Sequence, residues 1–235
     1  MEKNTLFHHA WMKFILPLSM LFLTCNTGSN SKPNASPLSK TEKTTIIEAY
    51  KNSLQKVDSM KAVCKAMSVD KAGIAFAQFI DRRLVPYWIG TPWDFNGITQ
   101  TPNEGMIACG YLVTTILRDA GVSINRVKQA QCASEQMINS MTHVKENYSR
   151  LPFEDFIKKV KAKGPGISII GLDNHTGFLY CDGSELYFIH SSYVGEGKVA
   201  KEIAADNSIL QNSHYKVVGY ISKDPDFIKK WISGN

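Results

Sequence analysis

Residues 175–190 read HTGFLYCDGSELYFIH, two apolar, aromatic-rich runs on either side of Asp182-Gly183. An Asp-Gly pair between such runs is a strong signal for a two-residue hairpin turn of type I′. With that loop, His175 lies directly opposite His190. Directly opposed residues have Cβ atoms about 4.5–5.5 Å apart and project to the same face of the sheet. The stretch therefore predicts two neighbouring histidines on an apolar, inward-pointing face.

The hydrophobic pattern on either side of this hairpin predicts an α+β domain. Apolar residues at helical spacing predict helices over 41–61, 69–84, 109–120, 151–161 and 224–233. Pro86 and Pro92 bracket an aromatic loop, 87–97, in which we expect no regular helix. Alternating patterns predict strands over 167–171, 175–181, 186–190 and 215–222. Helices followed by an antiparallel sheet, in one domain over 43–235, give the α+β class.

The N-terminal residues indicate export. An uncharged run, 14–24, follows Lys13 and ends at Cys25; it is too short to span a bilayer and fits a signal-peptide core. Translation starting at Met1 or at Met12 gives the same signal. The ending LFLTC resembles a bacterial lipoprotein signal, which implies lipid attachment at Cys25, a signal peptide over 1–25 and a membrane-anchored envelope protein. Ordinary secretion and an uncleaved anchor are the alternatives.

Composition limits the remaining possibilities. Residues 26–42, rich in Asn, Ser, Pro and Lys, predict a flexible tether between lipid and domain. The formal net charge of +6 is mild and lacks the dense basic stripe typical of nucleic-acid binding, but it suits an anionic cell wall or lipid headgroups. No Cys or His spacing is typical of a zinc site, so we expect no metal or cofactor, and we expect a monomer. Three further cysteines either form a disulfide or are packed as thiols: Cys64, Cys132 and Cys181.

Cys109 is the candidate nucleophile. It lies in 105–113, GMIACGYLV, where a glycine-flanked stretch changes to a helical pattern. Unpaired N–H groups and the helix dipole favour the thiolate in the first turn of a helix. The alternative is a small core residue, because Cys109 shares a helical face with apolar residues. A histidine pair on an inward face suggests a base and its orienting partner for a thiol, or else two hydrogen-bonded structural histidines or a partial metal site.

Several short motifs, taken in order over about residues 70–222, resemble one family. They are GTPWDFNG at 90–97, similar to Gly-Thr-Pro-Tyr; ACGYLV at 108–113, similar to Asp-Cys-Ser-Gly-Leu-Val; NHTGFLY at 174–180, similar to His-Val-Gly-Ile-Tyr; and FIHSS at 188–192, similar to Phe-Ile-His-Ala. Arg126 and Gln131 keep the spacing of the family's Arg-Thr-Ser-x-x-Gln segment. The chain thus resembles the NlpC/P60 family of papain-like cysteine peptidases, which cut peptide bonds in bacterial peptidoglycan.

The resemblance implies a papain-like fold with the nucleophile helix packed on the antiparallel sheet. It implies that Cys109 is the nucleophile, that His175 is the base and that His190 orients His175. The expected reaction is hydrolysis of amide bonds in peptidoglycan stem peptides through an acyl-enzyme. Three aromatic residues are expected to shape the substrate groove: Trp93, Phe95 and Tyr111.

Residues next to the nucleophile depart from the family pattern. Ala108 replaces an aspartate, Gly110 a serine and Tyr111 a glycine. The missing aspartate removes a possible partner for a free amino group on the substrate. Two alternatives therefore stay open, namely a papain-like amidase or acyltransferase on another substrate, and a non-catalytic, envelope-anchored binding module.

Overall fold

The computed structural model describes residues 38–234. The signal peptide, Cys25 and most of the tether expected at 26–42 lie outside the described residues. The helix α1 begins at Lys40, so the last three positions of that expected tether are helical. The reason is a capping box, in which the Ser39 hydroxyl accepts from the Glu42 N–H and the Glu42 carboxylate accepts from the Ser39 N–H.

Ten α-helices occur in the described part of the chain. They are α1 (Lys40–Leu54), α2 (Val57–Cys64), α3 (Val69–Phe79), α4 (Val85–Trp88), α5 (Cys109–Asp119), α6 (Arg126–Gln131), α7 (Ser134–Met141), α8 (Phe153–Lys161), α9 (Ser208–Asn212) and α10 (Pro225–Ser233). A π-helical turn, Ile80–Leu84, joins α3 to α4. None of the helices among residues 38–234 has the length and apolar character that a bilayer span requires.

Six strands form one antiparallel sheet in the order β1-β6-β2-β3-β4-β5. They are β1 (Lys145–Asn147), β2 (Gly166–Leu172), β3 (Thr176–Cys181), β4 (Leu186–Ser191), β5 (Val199–Ile203) and β6 (Lys216–Gly219). The predicted α+β class is confirmed. The edge strands β1 and β5 and the helices α6, α7 and α9 had no predicted counterpart.

Two helical predictions were wrong in detail. The helix predicted over 41–61 is two helices, because the chain turns between Leu54 and Val57 so that α2 packs against α10. The loop predicted over 87–97 starts too early, since α4 continues to Trp88. Pro86 is compatible with α4 because it occupies the first turn of that helix.

The predicted register of the β3–β4 hairpin was also wrong. Cys181 pairs with Leu186, so the loop has four residues, 182–185, instead of two. The Asp182 carboxylate explains the longer loop, because it accepts hydrogen bonds from the N–H groups of Ser184 (2.8 Å) and Glu185 (2.7 Å). A displacement of two positions leaves each side chain on its predicted face. The histidines therefore share a face, although they are not directly opposed.

Both faces of the sheet are covered. One core lies between the sheet and the N-terminal helices and α10; it includes Ile116 of α5, Phe178 of β3 and Ile189 of β4. The expected packing of α5 on the sheet is present in this core. The second core lies on the opposite face, where Phe156 of α8 packs with residues that include Phe188 of β4. The candidate site lies at the N-terminal end of β3, where Thr176 of β3 and Cys109 of α5 line one cavity.

Candidate active site

Cys109 is the first residue of α5, and the chain before it is fixed by main-chain hydrogen bonds. The Ile107 N–H donates to the Pro92 carbonyl (2.9 Å) and the Ala108 N–H to the Gly97 carbonyl (2.8 Å). Ala108 is the extended N-cap residue and makes no side-chain capping hydrogen bond. The first N–H groups of α5, including that of Cys109, have no helical acceptor and make no hydrogen bond to an N-cap side chain.

A close approach of backbones explains the glycine that follows Cys109. A Cβ on Gly110 would lie 2.5 Å from the Ala130 carbonyl oxygen of α6. This is inside van der Waals contact with main-chain atoms, which cannot rotate away. The serine that the family carries at this position therefore has no room here.

His175 is held by the tight turn between β2 and β3. The Leu172 N–H donates to the His175 carbonyl across this turn (2.9 Å). The carboxylate of Asp173 in the turn accepts from the N–H groups of His214 (2.7 Å) and Tyr215 (3.0 Å), just before β6. These hydrogen bonds, the His214 N–H first, lower the pKa of Asp173. The turn is therefore anchored to the neighbouring strand, and His175 is placed at the end of the sheet.

The two predicted histidines are in direct contact. Nε2 of His175 lies 2.8 Å from Nδ1 of His190, and the rings meet edge to face at a centroid distance of 5.1 Å. The His190 ring is fully buried and stacks on Phe188 at 4.0 Å. Gly177 leaves the space for this arrangement, because a Cβ there would lie 2.9 Å from the His190 Cβ and 2.7 Å from the Phe188 ring.

The hydrogen bonds continue from His190 to Glu202, a residue that was not identified from sequence. Nε2 of His190 lies 2.8 Å from Oε2 of Glu202 in β5, and Nδ2 of Asn207 donates to the same oxygen (2.8 Å). The Glu202 side chain is 47% exposed, so the series leads from the buried histidines to the surface. Sequence pattern could not identify Glu202, because β5 is an edge strand without apolar alternation and its partner is set by tertiary pairing.

Cys109 and His175 line the same cavity, which has a volume of about 540 Å³. Its other walls come from α6, α7 and the β2–β3 turn: Gly110, Ala130, Cys132, Ala133, Ser134, Glu135, Met137, Leu172, Asp173, Asn174, Thr176 and Tyr215. A second cavity, of about 280 Å³, is also lined by His175 and is bordered by Tyr193. His175 is therefore buried but lines both cavities.

Burial disfavours the charged form of both side chains. It raises the pKa of the Cys109 thiol, and main-chain hydrogen bonds with Thr176, Gly110 and Cys109 itself only oppose that rise. Burial, together with the charge that His190 can carry, lowers the pKa of His175 to about 3. The thiolate expected at the helix start is therefore disfavoured by burial, and no hydrogen bond among residues 38–234 joins the thiol to His175.

The three aromatic residues expected in the groove lie at different places, and none of them lines either cavity. Trp93 contacts Tyr193 at a centroid distance of 6.1 Å, and Tyr193 in turn contacts His175 at 5.1 Å. Phe95 is 80% exposed. Tyr111 lies under the Arg126 guanidinium (4.7 Å). Tyr193 was not identified from sequence; it follows β4 in a polar segment that gives no signal.

Arg126 and Gln131, the two residues of the Arg-Thr-Ser-x-x-Gln resemblance, support α5. Arg126 donates to the Thr115 hydroxyl (2.7 Å) and to the carbonyls of Ile98 and Thr99 (3.0 and 2.8 Å). Gln131 donates to the Tyr111 hydroxyl (3.1 Å). Both side chains therefore connect α6 to α5, and Arg126 also connects α6 to the loop that precedes α5.

The described cysteines are all free thiols: Cys64, Cys109, Cys132 and Cys181. Cys64 and Cys181 are buried, and Cys132 is half-buried beside the cavity. No group of three His, Cys, Asp or Glu side chains in the described residues has the arrangement of a metal site. Comparison with known proteins found no protein family, no curated protein and no solved structure that matches this chain.

Proposed function

We propose that the chain is a cysteine hydrolase of papain-like, NlpC/P60 type, which cleaves amide bonds in peptidoglycan stem peptides. The observation that carries the proposal is the free thiol at the start of α5, which lines the same cavity as His175, itself bonded to the buried His190. The motif order around Cys109, His175 and His190 supports the choice of family and substrate. The proposal includes export and lipid anchoring at Cys25, which rest on the N-terminal sequence.

His175 is the base in this mechanism. Its Nε2 is bonded to His190, so Nδ1 is the nitrogen that remains to take a proton. As Sγ of Cys109 attacks the substrate carbonyl carbon, the thiol proton moves to Nδ1 of His175. A neutral thiol and a neutral imidazole thus become a sulfide bonded to substrate and an imidazolium, and the negative charge moves to the carbonyl oxygen.

The start of α5 is suited to that developing charge. The N–H of Cys109 has no helical acceptor, and Ala108 lacks the side-chain oxygen with which a usual N-cap residue would occupy such donors. An oxyanion can accept from these N–H groups at the positive end of the helix dipole. The replacement of the family's aspartate by Ala108 is therefore compatible with catalysis.

Collapse of the tetrahedral intermediate completes the first half-reaction. The C–N bond breaks, the imidazolium of His175 gives its proton to the leaving amine, and a thioester with Cys109 remains. Water then attacks the thioester, with His175 again accepting the proton, and releases the acid and the free thiol. Each proton that His175 accepts is returned within the cycle.

Peptide release from purified peptidoglycan tests the proposal. The unsubstituted protein and Cys132→Ala should release the same peptides, whereas Cys109→Ala should release none. Cys132→Ala is the matched control because it removes a thiol from the same cavity. Equal release by Cys109→Ala would refute the nucleophile, and no release by the unsubstituted protein would refute peptidoglycan as the substrate.

A further inference from the structure

Glu202 occupies the outer end of the series of hydrogen bonds that starts at His175. We infer that Glu202 is a positioning residue that, acting through His190, fixes the proton arrangement of both histidines so that His175 presents an unprotonated Nδ1 to Cys109. The inference rests on the proposed role of His175 as the base. It adds a fourth residue to the three expected from the motifs.

The carboxylate of Glu202 determines which nitrogen of His190 carries a proton. An ionised carboxylate only accepts hydrogen bonds, so the nitrogen of His190 that lies 2.8 Å from Glu202, Nε2, must carry the proton. Asn207 donates to the same oxygen and cannot supply an alternative acceptor for the ring. Glu202 therefore selects the Nε2–H form of a neutral His190.

The other ring nitrogen of His190 then determines the state of His175. A neutral His190 protonated on Nε2 has a lone pair on Nδ1, which lies 2.8 Å from Nε2 of His175. That contact is a hydrogen bond only if His175 is the donor, so His175 is protonated on Nε2 and unprotonated on Nδ1. Without Glu202, the opposite arrangement of both rings would satisfy the His175–His190 bond equally well.

Glu202 also matters after proton transfer. When Nδ1 of His175 accepts the thiol proton, the imidazolium donates from Nε2 to His190, and His190 donates to the carboxylate. No proton has to reach Glu202. Burial lowers the pKa of His190, whereas its hydrogen bond and charge attraction to Glu202 raise it. The carboxylate is thus a negative charge in direct contact with the buried histidine pair.

Two features separate this role from a structural one. The Glu202 side chain is 47% exposed and belongs to an edge strand, so its removal leaves no buried cavity. Its hydrogen-bond partners are His190 and the helix-capping residue Asn207, and in the cap itself the Leu210 N–H donates to Oδ1 of Asn207. Glu202→Gln should therefore leave the fold intact.

The test measures alkylation of Cys109 by iodoacetamide at pH 7 in the full-length chain, followed by mass spectrometry of the peptide that contains Cys109. We expect Glu202→Gln to slow alkylation about tenfold, in line with the loss of one charge-assisted hydrogen bond. In a His190→Ala background the same substitution should have no further effect, because the connection is already broken. Glu185→Gln is the matched control, since Glu185 is a glutamate of similar exposure (35%) that pairs with Lys161 instead.

Equal slowing by Glu202→Gln in both backgrounds, or none in either, would overturn the inference. A second measurement needs no substitution at Glu202: ¹⁵N chemical shifts of the histidine rings should show His190 protonated on Nε2 at pH 7, and a proton on Nδ1 would refute the inference. Neither readout uses a substrate. If both results hold and peptidoglycan is not cleaved, the proposed substrate fails while the role of Glu202 remains.

Discussion

The histidine side and the cysteine side of the cavity are held in different ways. On the histidine side, side-chain hydrogen bonds run from His175 through His190 to Glu202. On the cysteine side, only main-chain groups contribute hydrogen bonds to the thiol of Cys109, and burial raises its pKa. His175 is therefore held in place by side-chain hydrogen bonds, whereas burial disfavours the charged form of Cys109. Under the proposed mechanism, the reactivity of the Cys109 thiol thus depends on His175 more than on the helix dipole.

Removal of the base should have the largest effect. We expect His175→Ala to lower both peptide release and Cys109 alkylation at pH 7 by about 10³-fold, because general base catalysis typically contributes 10²–10⁴-fold. Steady-state release and the alkylation rate check this. His143→Ala is the control, since His143 is exposed and lines neither cavity beside His175. An unchanged alkylation rate in His175→Ala would mean that the helix start alone activates the thiol. The reactivity of Cys109 would then depend on the helix dipole and not on His175.

The common face of the two histidines was predictable from sequence, because a register shift by an even number of positions leaves each side chain on the same face of the sheet. His175 and His190 share a face whether the hairpin loop has two or four residues, so the wrong register still gave the right pair. The loop length was not predictable from the Asp-Gly signal, because the side chain of Asp182 accepts the N–H groups of the following residues. Glu202 was not predictable because its role depends on which strand pairs with β4.

The cysteine side shows the opposite limit. The start of α5 at Cys109 and its end before Gly121 follow from the apolar period and the glycine, and both agree with the structure. The pKa of the thiol does not follow from these signals, since burial raises it by more than the main-chain hydrogen bonds lower it. Local sequence therefore predicted the helix, whereas tertiary packing determined the chemistry of its first residue.

Acid should destabilise the protein through the histidine side. The pKa of His175 is about 3 in the folded protein against an ordinary 6.5, so the unfolded chain binds the proton more tightly. Well above pH 6.5 His175 is neutral in both states and does not lower the free energy of unfolding. As the pH falls from 6.5 towards 3, the unfolded chain takes up the proton and the free energy of unfolding decreases. Between pH 7 and pH 4 this one group should cost about 3 kcal/mol of the free energy of unfolding.

Chemical denaturation at the two pH values measures that cost. The loss of stability between pH 7 and pH 4 should be about 3 kcal/mol smaller in His175→Gln than in the unsubstituted protein, because the glutamine does not titrate. The exposed residue His143 again supplies the control, and His143→Gln should lose as much stability as the unsubstituted protein. If His175→Gln loses as much unfolding free energy as the unsubstituted protein, His175 is protonated in the folded state at no cost. The buried histidine pair would then accept a positive charge.

The cysteine side is tested by Gly110→Ala, for which we expect the smallest of the three effects. The added Cβ would lie 2.5 Å from the Ala130 carbonyl oxygen, so α5 and α6 must separate, at a cost of about 2 kcal/mol of unfolding free energy in urea denaturation. The sign of the change in unfolding free energy is decisive, because alanine in place of glycine within a helix otherwise stabilises a protein by about 1 kcal/mol. A stabilised Gly110→Ala would show that α5 and α6 are not in close contact beside Cys109, and that the cysteine side, in contrast to the histidine side, is free to move.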